Sequence, residues 1–255
     1  MTCILAQVTD THLLASPQDT YRGWPTWASC RAVLAAVAQD RPDLLLLTGD
    51  LSQDGSRASY EHLRDLVEPL GIPTYVLPGN HDNPAALAAV FPGGNLCTTP
   101  LVTAGRWAIL LLDSTVPGEV YGDLSLDQLT ALDATLTQTA GRPTLIALHH
   151  PVLPIGSPWI DATRLRPAGA FVELLAAHPH VKVVLAGHVH QESQAMNQGV
   201  AHYTTPATGL QFKPQTEQFC LDTQAPGYRL LYLEADGQHR TTVRRVQEAG
   251  EFAHV

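Results

Sequence analysis

Five short motifs place metal-ligating side chains along this 255-residue sequence: Asp10-Thr11-His12, Gly49-Asp50, Gly79-Asn80-His81-Asp82, His149-His150-Pro151 and Gly187-His188-Val189-His190. They supply imidazoles from His12, His149, His188 and His190, and oxygen donors from Asp10, Asp50 and Asn80. Mixed imidazole and carboxylate ligation suits iron, manganese or zinc better than calcium, which favours an all-oxygen cage. The inventory is large enough for two ions. A pair of ions about 3.5–4 Å apart can hold a bridging hydroxide, bind phosphate oxygens and stabilise an in-line displacement at phosphorus. His81 follows Asn80 and is expected to point into the same cleft, where an imidazole can contact phosphate and protonate a departing alkoxide. Asp82 or Asp54 is expected to orient that imidazole.

Taken singly, the motifs are ordinary. Asp-x-His can be a polar loop, Gly-Asp after leucines a turn, and His149-His150-Pro151 a satisfied core pair. Their order and placement carry the inference, because each directly follows a predicted strand. Ile4–Val8 reads as a buried strand ending at Asp10, and Leu44–Leu47 is a continuous apolar run of the kind covered on both faces. Further strands are expected at Thr74–Leu77, Trp107–Leu112, Thr144–Leu148 and Val181–Leu185, then at Ala201–Thr205 and Tyr228–Glu234. Between them, Trp27, Cys30, Leu34 and Val37 recur at helical spacing, and helices are expected near Ala58–Val67 and Ala168–Ala177. Asn83 before Pro84 reads as an N-cap with proline in the first turn, and Ser125 with Gln128 as a capping box opening a helix to about Gln138. Such alternation builds mixed sheets with helices on their outer faces, and ligands gather beyond strand carboxyl ends. With no linker or repeat visible, residues 1–255 read as one domain.

Acidic residues outnumber basic ones by 24 to 15, a formal charge of −9, which argues against a free-standing nucleic-acid binder. Cys3, Cys30, Cys97 and Cys220 are far apart without C-x-x-C spacing and read as core or near-core thiols in a reducing compartment. The absence of a signal-peptide pattern and of an apolar run near 20 residues sets the expectation of a cytoplasmic protein without membrane attachment.

The five motifs resemble those of the calcineurin-like metallophosphoesterase superfamily over roughly residues 4–205. The resemblance implies an α/β fold: a four-layer αββα sandwich of two mixed sheets flanked by helices, with a dinuclear metal centre. It implies that Asp10, His12, Asp50 and His190 bind one ion, and Asp50, Asn80, His149 and His188 the other, with Asp50 bridging. Asn80 and His81 then contact the phosphate, and His150 is structural. A narrower similarity is to the bacterial class III 3′,5′-cyclic AMP phosphodiesterases. It rests on Gly49-Asp50-Leu51-Ser52-Gln53-Asp54, the Gly-Ser-Pro-Trp-Ile-Asp stretch at 156–161, Gln211-Phe212-Lys213-Pro214 and residues 221–227. It implies hydrolysis of 3′,5′-cyclic AMP to 5′-AMP by a metal-held hydroxide, with His81 assisting the 3′ oxygen. It also implies two metal ions per subunit, iron or manganese with zinc admitted, and leaves a homodimer open. Protein serine/threonine phosphatases carry an aspartate three residues after the bridging one. Here that position is Gln53.

The residue pattern by itself leaves other readings open. 2′,3′-Cyclic nucleotides, glycerophosphodiesters and nucleoside diphosphate derivatives would use the same centre, and a non-catalytic scaffold can share the fold. Asp113-Ser114, His178, His180 and His202 are set aside as strand-end, turn or undirected residues, while Trp159 and Phe212 suit either a base or an apolar wall.

Overall fold

The leucine run after Asp43 shows how the layers form. Side chains alternate across a strand, so Leu44 and Leu46 enter one apolar cluster while Leu45 and Leu47 enter another on the opposite face. A strand apolar on both faces must be covered on both. The computed structural model describes residues 2–93 and 96–247. β1 (Cys3–Val8), α1 (Thr26–Asp40), β2 (Leu44–Thr48), α2 (Arg57–Val67) and β3 (Thr74–Leu77) alternate first. After α3 (Pro84–Val90) come β4 (Pro92–Gly93), β5 (Leu96–Cys97), β6 (Leu101–Ala104), β7 (Trp107–Leu111), α4 (Leu126–Gln138) and β8 (Thr144–Ala147). The short α5 (Pro158–Asp161) and then α6 (Ala168–Ala177) lead to β9 (Val181–Ala186), β10 (Ser193–Asn197) and β11 (Val200–Thr204). The last strands are β12 (Gln211–Phe212), β13 (Leu221–Asp222), β14 (Gly227–Leu233) and β15 (His239–Arg245).

Two mixed sheets result, ordered β15-β14-β1-β2-β3-β5-β4 and β10-β11-β9-β8-β7-β6, with β12 and β13 forming a separate ribbon. Leu5, Leu46, Trp107, Ile109, Leu145 and Leu185 pack between the sheets. Cys30, Leu34, Tyr60, Leu63 and Leu87 bring α1, α2 and α3 onto the outer face of the first sheet. Leu132, Leu136, Phe171 and Leu175 bring α4 and α6 onto the outer face of the second. This is the expected αββα sandwich. The caps match the sequence too: the Asn83 side chain accepts from Ala85 and Ala86 N–H, and Ser125 with Gln128 completes a capping box.

β1, β2 and β3 run parallel in one sheet, and β7, β8 and β9 run parallel in the other. The residues after β1, β2, β3, β8 and β9 therefore emerge at strand carboxyl ends. A buried polar pin holds the sheets together beneath that end. The Gln7 amide donates to Thr48 Oγ1 at 2.9 Å and to the Ala186 carbonyl at 3.1 Å. It accepts from the Thr205 hydroxyl, to which Arg229 Nε donates at 3.1 Å. Burial pushes the Arg229 guanidinium down to about 10, and its Nη2 is satisfied by the Thr204 carbonyl at 2.8 Å.

Two differences from the expectations have plain causes. β15 has a polar, half-exposed edge-strand sequence, and its residues Arg240 and Arg244 carry charges where an edge must resist further pairing. Cys220 is exposed, not near-core, whereas Cys30 is buried. No described helix is long and apolar enough to cross a membrane. Replacing the pin's centre, Gln7→Leu, leaves the Thr205–Arg229 side of the network short of a partner. We expect a stability loss of about 1–3 kcal/mol in urea unfolding, with the unfolding slope unchanged.

Candidate metal centre

Asp10, Asp50, Asn80, His149 and His188 all lie just past strand ends, and the fold brings the motifs together as the sequence implied. Donor atoms of Asp10, His12 and His190 lie within 4.8 Å of one another, as do those of Asp10, Asp50 and His149, and those of His12, Asp50 and His81. Asp50 thus belongs to two groupings. Its Oδ2 is 3.8 Å from His12 Nε2 and 3.4 Å from His149 Nε2. Asp10 Oδ1 is 3.4 Å from His190 Nε2, and the Nε2 atoms of His12 and His190 face each other at 3.1 Å.

The backbone is strained to achieve this. Asp10, His12, Asp50, His188 and His190 all have positive φ, between 44° and 70°. Such values are uncommon for residues with a side chain, cost of order 1–3 kcal/mol each, and persist where the surroundings enforce them. Here hydrogen bonds do so: Asp10 N–H to the Gly49 carbonyl, His12 N–H to the Asp50 carbonyl, and Gly187 N–H to the His149 carbonyl. The carboxylates participate as well, with Asp10 accepting from His188 N–H and Asp50 from His81 N–H. Gly79 must lack a side chain, since a Cβ there would run into the Asp50 backbone and carboxylate and the His149 ring.

Hydrogen bonds aim the imidazoles. His149 Nδ1 bonds the Thr48 carbonyl at 2.9 Å and His190 Nδ1 the Leu210 carbonyl at 2.7 Å, so both rings turn Nε2 towards the carboxylates. His188 is held the other way round. Thr163 Oγ1 donates its one proton to the Ile160 carbonyl, so it accepts from His188 Nε2–H at 2.7 Å and leaves Nδ1 bare. Asp161 fixes that segment by accepting from Ile155, Gly156 and Ser157 N–H, which accounts for the Gly-Ser-Pro-Trp-Ile-Asp stretch.

Electrostatics agree with a cation site. Burial raises the Asp50 carboxyl, but neighbouring His149, His12 and His81 outweigh it and hold the group well below the usual carboxylate range. Burial likewise opposes ionisation of Asp10, and His190 outweighs it. His149 shows the complement: burial lowers it, while Asp50 beside it pushes it up to about 9. Asn80 Oδ1 and His149 Nε2 are buried without a hydrogen-bond partner. Orphaned donors of this kind are costly in a folded protein unless something else binds them. The residues present fit two borderline metal ions.

His81 sits at the edge of this cluster, its ring 5.1 Å from that of His12. The expectation that Asp82 or Asp54 orients it is corrected. Asp82 is turned inward, accepting from Leu51, Ser52 and Gly79 N–H and from the Tyr60 hydroxyl, because it ties the Asp50 turn to the Asn80 turn. Burial and nearby Asp50 push its carboxyl up to about 6. Asp54 binds Ala15 and Ser56 N–H instead. The partner of His81 is Gln53, with Nε2 3.3 Å from His81 Nδ1. The contact fits either orientation of the Gln53 amide, with Nε2–H donating to a bare Nδ1 or Oε1 accepting from Nδ1–H.

Among the described residues, His178, His180 and His202 fall in none of the donor groupings, whereas His150 joins His149 and His188 in a fourth. His150, although close to His149 and His188, has both nitrogens engaged, by the Ser114 hydroxyl at 2.8 Å and the Val120 carbonyl at 3.1 Å. His178 pairs with Asp133 and His180 packs edge-on to it. His202 lines a small cavity with Pro151, Leu153 and Tyr203. Thr163, Tyr21 and Phe219 escaped the sequence reading, since none belongs to a motif, with only the proximity of 156–161 to Thr163 as a signal; Gln53 was noted as a departure from the phosphatase pattern, without its contact to His81.

Two variants test the geometry. Asp50→Ala removes the carboxylate shared between the groupings and should abolish hydrolysis and lower bound metal, read by elemental analysis; full metal content would contradict its role. Thr163→Val keeps the shape but removes the acceptor for His188. It should weaken metal binding about 10–100-fold in chelator competition, with Thr163→Ser restoring it.

Comparison with known proteins gives the same direction. The family model for calcineurin-like phosphoesterases matches residues 5–192. The chain is 43% identical over 247 residues to the 3′,5′-cyclic adenosine monophosphate phosphodiesterase CpdA of Escherichia coli K12, covering 96% of this chain and 90% of that protein. It is 42% identical over 244 residues to a 3′,5′-cyclic-nucleotide phosphodiesterase of Nostoc, covering 95% and 92%. A dimetal phosphatase from Danio rerio shares the fold, with a TM-score of 0.68 at 16% identity over 96% of this chain and 99% of that one. With its motifs gathered at one end of the sandwich and the family match spanning most of its length, this chain belongs to the calcineurin-like phosphoesterase family.

Proposed function

We propose that the chain, as one domain spanning residues 1–255, hydrolyses 3′,5′-cyclic AMP to 5′-AMP at a dinuclear metal centre. The observation that carries this reading is the convergence of Asp10, Asp50 and the ligand histidines, with orphaned donor atoms aimed inward. The substrate follows from similarity to relatives named as cyclic-nucleotide phosphodiesterases over nearly their whole length. Asp10, His12, Asp50 and His190 would hold one ion, and Asp50, Asn80, His149 and His188 the other. Iron and manganese suit the mixed donor set, and zinc is compatible with it. When bound, such ions supply Lewis-acid charge to phosphate oxygens and acidify the attacking water.

The chain's own residues do the rest. Asn80 and His81 bind and orient the phosphate at the mouth of the cluster. Gln53 holds His81 at Nδ1, so Nε2 faces the leaving 3′ oxygen. As an imidazolium, with the Gln53 amide turned so that Oε1 accepts from Nδ1–H, His81 passes its Nε2 proton there as the ester bond breaks and is left a neutral imidazole. His150, bound on both sides, packs behind His149 and His188 and keeps their rings in place. The free thiols of Cys3, Cys30 and Cys220 accord with a reducing, cytoplasmic setting.

The deciding experiment compares kcat/KM of manganese-loaded protein on 3′,5′-cyclic AMP, 2′,3′-cyclic AMP and bis-p-nitrophenyl phosphate. A clear preference for the 3′,5′ isomer supports the assignment, and activity confined to the other two substrates overturns it. His81→Ala should lower kcat by about 10²–10⁴-fold while both metals stay bound. Loss of metal in that variant would make His81 a ligand and contradict the division of roles.

A further inference from the structure

One side of the metal cluster is lined by rings that the hydrolytic chemistry does not use. Tyr21 stacks on His12 with centroids 5.0 Å apart, and Phe212 stacks on His190 at 4.0 Å and 7°. Phe212 is itself buried and its face is taken by His190, so it cannot receive a base as the sequence allowed. Trp159 and Phe219 pack edge-on against it and against each other, at 5.3–5.4 Å. Phe219 ends this row on the solvent side, 41% exposed, a poor use of a phenyl ring if packing were its only role.

Arg22 closes the rim. Its guanidinium lies 4.7 Å from the Phe219 ring centroid and 5.7 Å from that of Tyr21, joining the His12 side of the cleft to the His190 side. Its backbone is left-handed, φ 51°, within a tight turn closed by the reciprocal hydrogen bonds of Tyr21 and Trp24. A side chain held at a strained position is over-determined by its surroundings, and such positions cluster at ligand clamps. A guanidinium laid on an aromatic ring offers a flat second face for stacking and N–H donors along its edge; Arg22 Nε donates to the Tyr21 hydroxyl at 3.4 Å, which leaves the Nη groups for a ligand. Those are the two features that a nucleobase recognises, a π-face to stack on and donors for its ring nitrogens. A glycerol or other aliphatic alcohol has no counterpart for the first.

We propose that Arg22, backed by Phe219, is a nucleobase platform beside the metal centre, selecting nucleotides over other phosphodiesters. The platform rests on the reading of the centre as a phosphodiesterase site, because Tyr21 and Phe212, on which Arg22 and Phe219 lean, stack against His12 and His190 and so set it beside the phosphate position. It favours purine and pyrimidine alike, since every base has a π-face.

The test uses binding, so that it stands apart from turnover. Calorimetric titration of metal-loaded protein with 5′-AMP and with ribose 5-phosphate should show 5′-AMP binding about tenfold more tightly. Arg22→Gly, which suits the left-handed backbone, and Phe219→Ala should each remove most of that preference while ribose 5-phosphate binds within about twofold of its original affinity. Equal affinity of the unaltered protein for the two probes overturns the platform. So does equal weakening of both probes in the variants, which would mark a structural role. Cyclic AMP turnover in the same preparation separates the two readings: its absence alongside a 5′-AMP preference would overturn the substrate and support the platform.

Discussion

Two carboxylates must remain charged while almost wholly removed from water. Asp10 and Asp50 are 1% and 3% exposed, and burial alone would push both towards the neutral acid. Their stability as anions depends on what surrounds them: imidazoles on one side and backbone N–H groups of His188 and His81 on the other. That requirement explains why the motifs sit where they do. Only the turn after a strand can point successive N–H groups and side chains at one spot, and only parallel strands from both sheets bring several such turns together. The polar pin of Gln7, Thr48, Thr205 and Arg229 lies under this assembly because turns strained against each other need a rigid base.

The same demand accounts for the backbone. Left-handed conformation at five motif residues is a large local cost, and the hydrogen bonds that enforce it cross between motifs more than within them. The Asp10 turn is tied to the Asp50 turn, the Asp50 turn to the Asn80 turn through Asp82, and the His149 turn to Gly187. The centre is thus one mutually supported unit. Imidazole orientation is a second product of this unit, since backbone carbonyls aim Nε2 of His149 and His190 while a threonine hydroxyl aims Nδ1 of His188.

Much of this was legible in the sequence because ligand residues declare themselves by type and by position after apolar runs. The leucine run, the Asn83 cap and the Ser125 capping box depend on local physics and appear as read. What remained hidden depends on long-range contact. Gln53 looked like a missing aspartate, yet it is the group that faces His81, and the nearby carboxylates were credited with that task because charge is easier to notice than geometry. Thr163 draws no notice until the fold sets its hydroxyl 2.7 Å from His188, 25 positions along the chain. The edge strand β15 hid for the opposite reason: an exposed edge is selected for polar residues, so the apolar signal of a strand is weak there.

The division between legible and hidden residues matches a division of labour. Metal donors are drawn from a short chemical menu and must occupy strand ends, so their pattern is constrained and recognisable. On the platform proposed above, discrimination between diesters would fall to segments with no such constraint: the turn at Tyr21–Trp24, the short α5 region and the β12–β13 ribbon. These segments meet over the His12 and His190 side of the centre and contribute rings and a guanidinium instead of ligands. On that proposal, changing Arg22 or Phe219, which touch neither His12 nor His190 in a ring contact, would alter what the site accepts while the buried carboxylates keep their partners. A shared fold with a dimetal phosphatase at 16% identity is therefore compatible with a different substrate, because a fold positions a site without fixing which side chains line its rim.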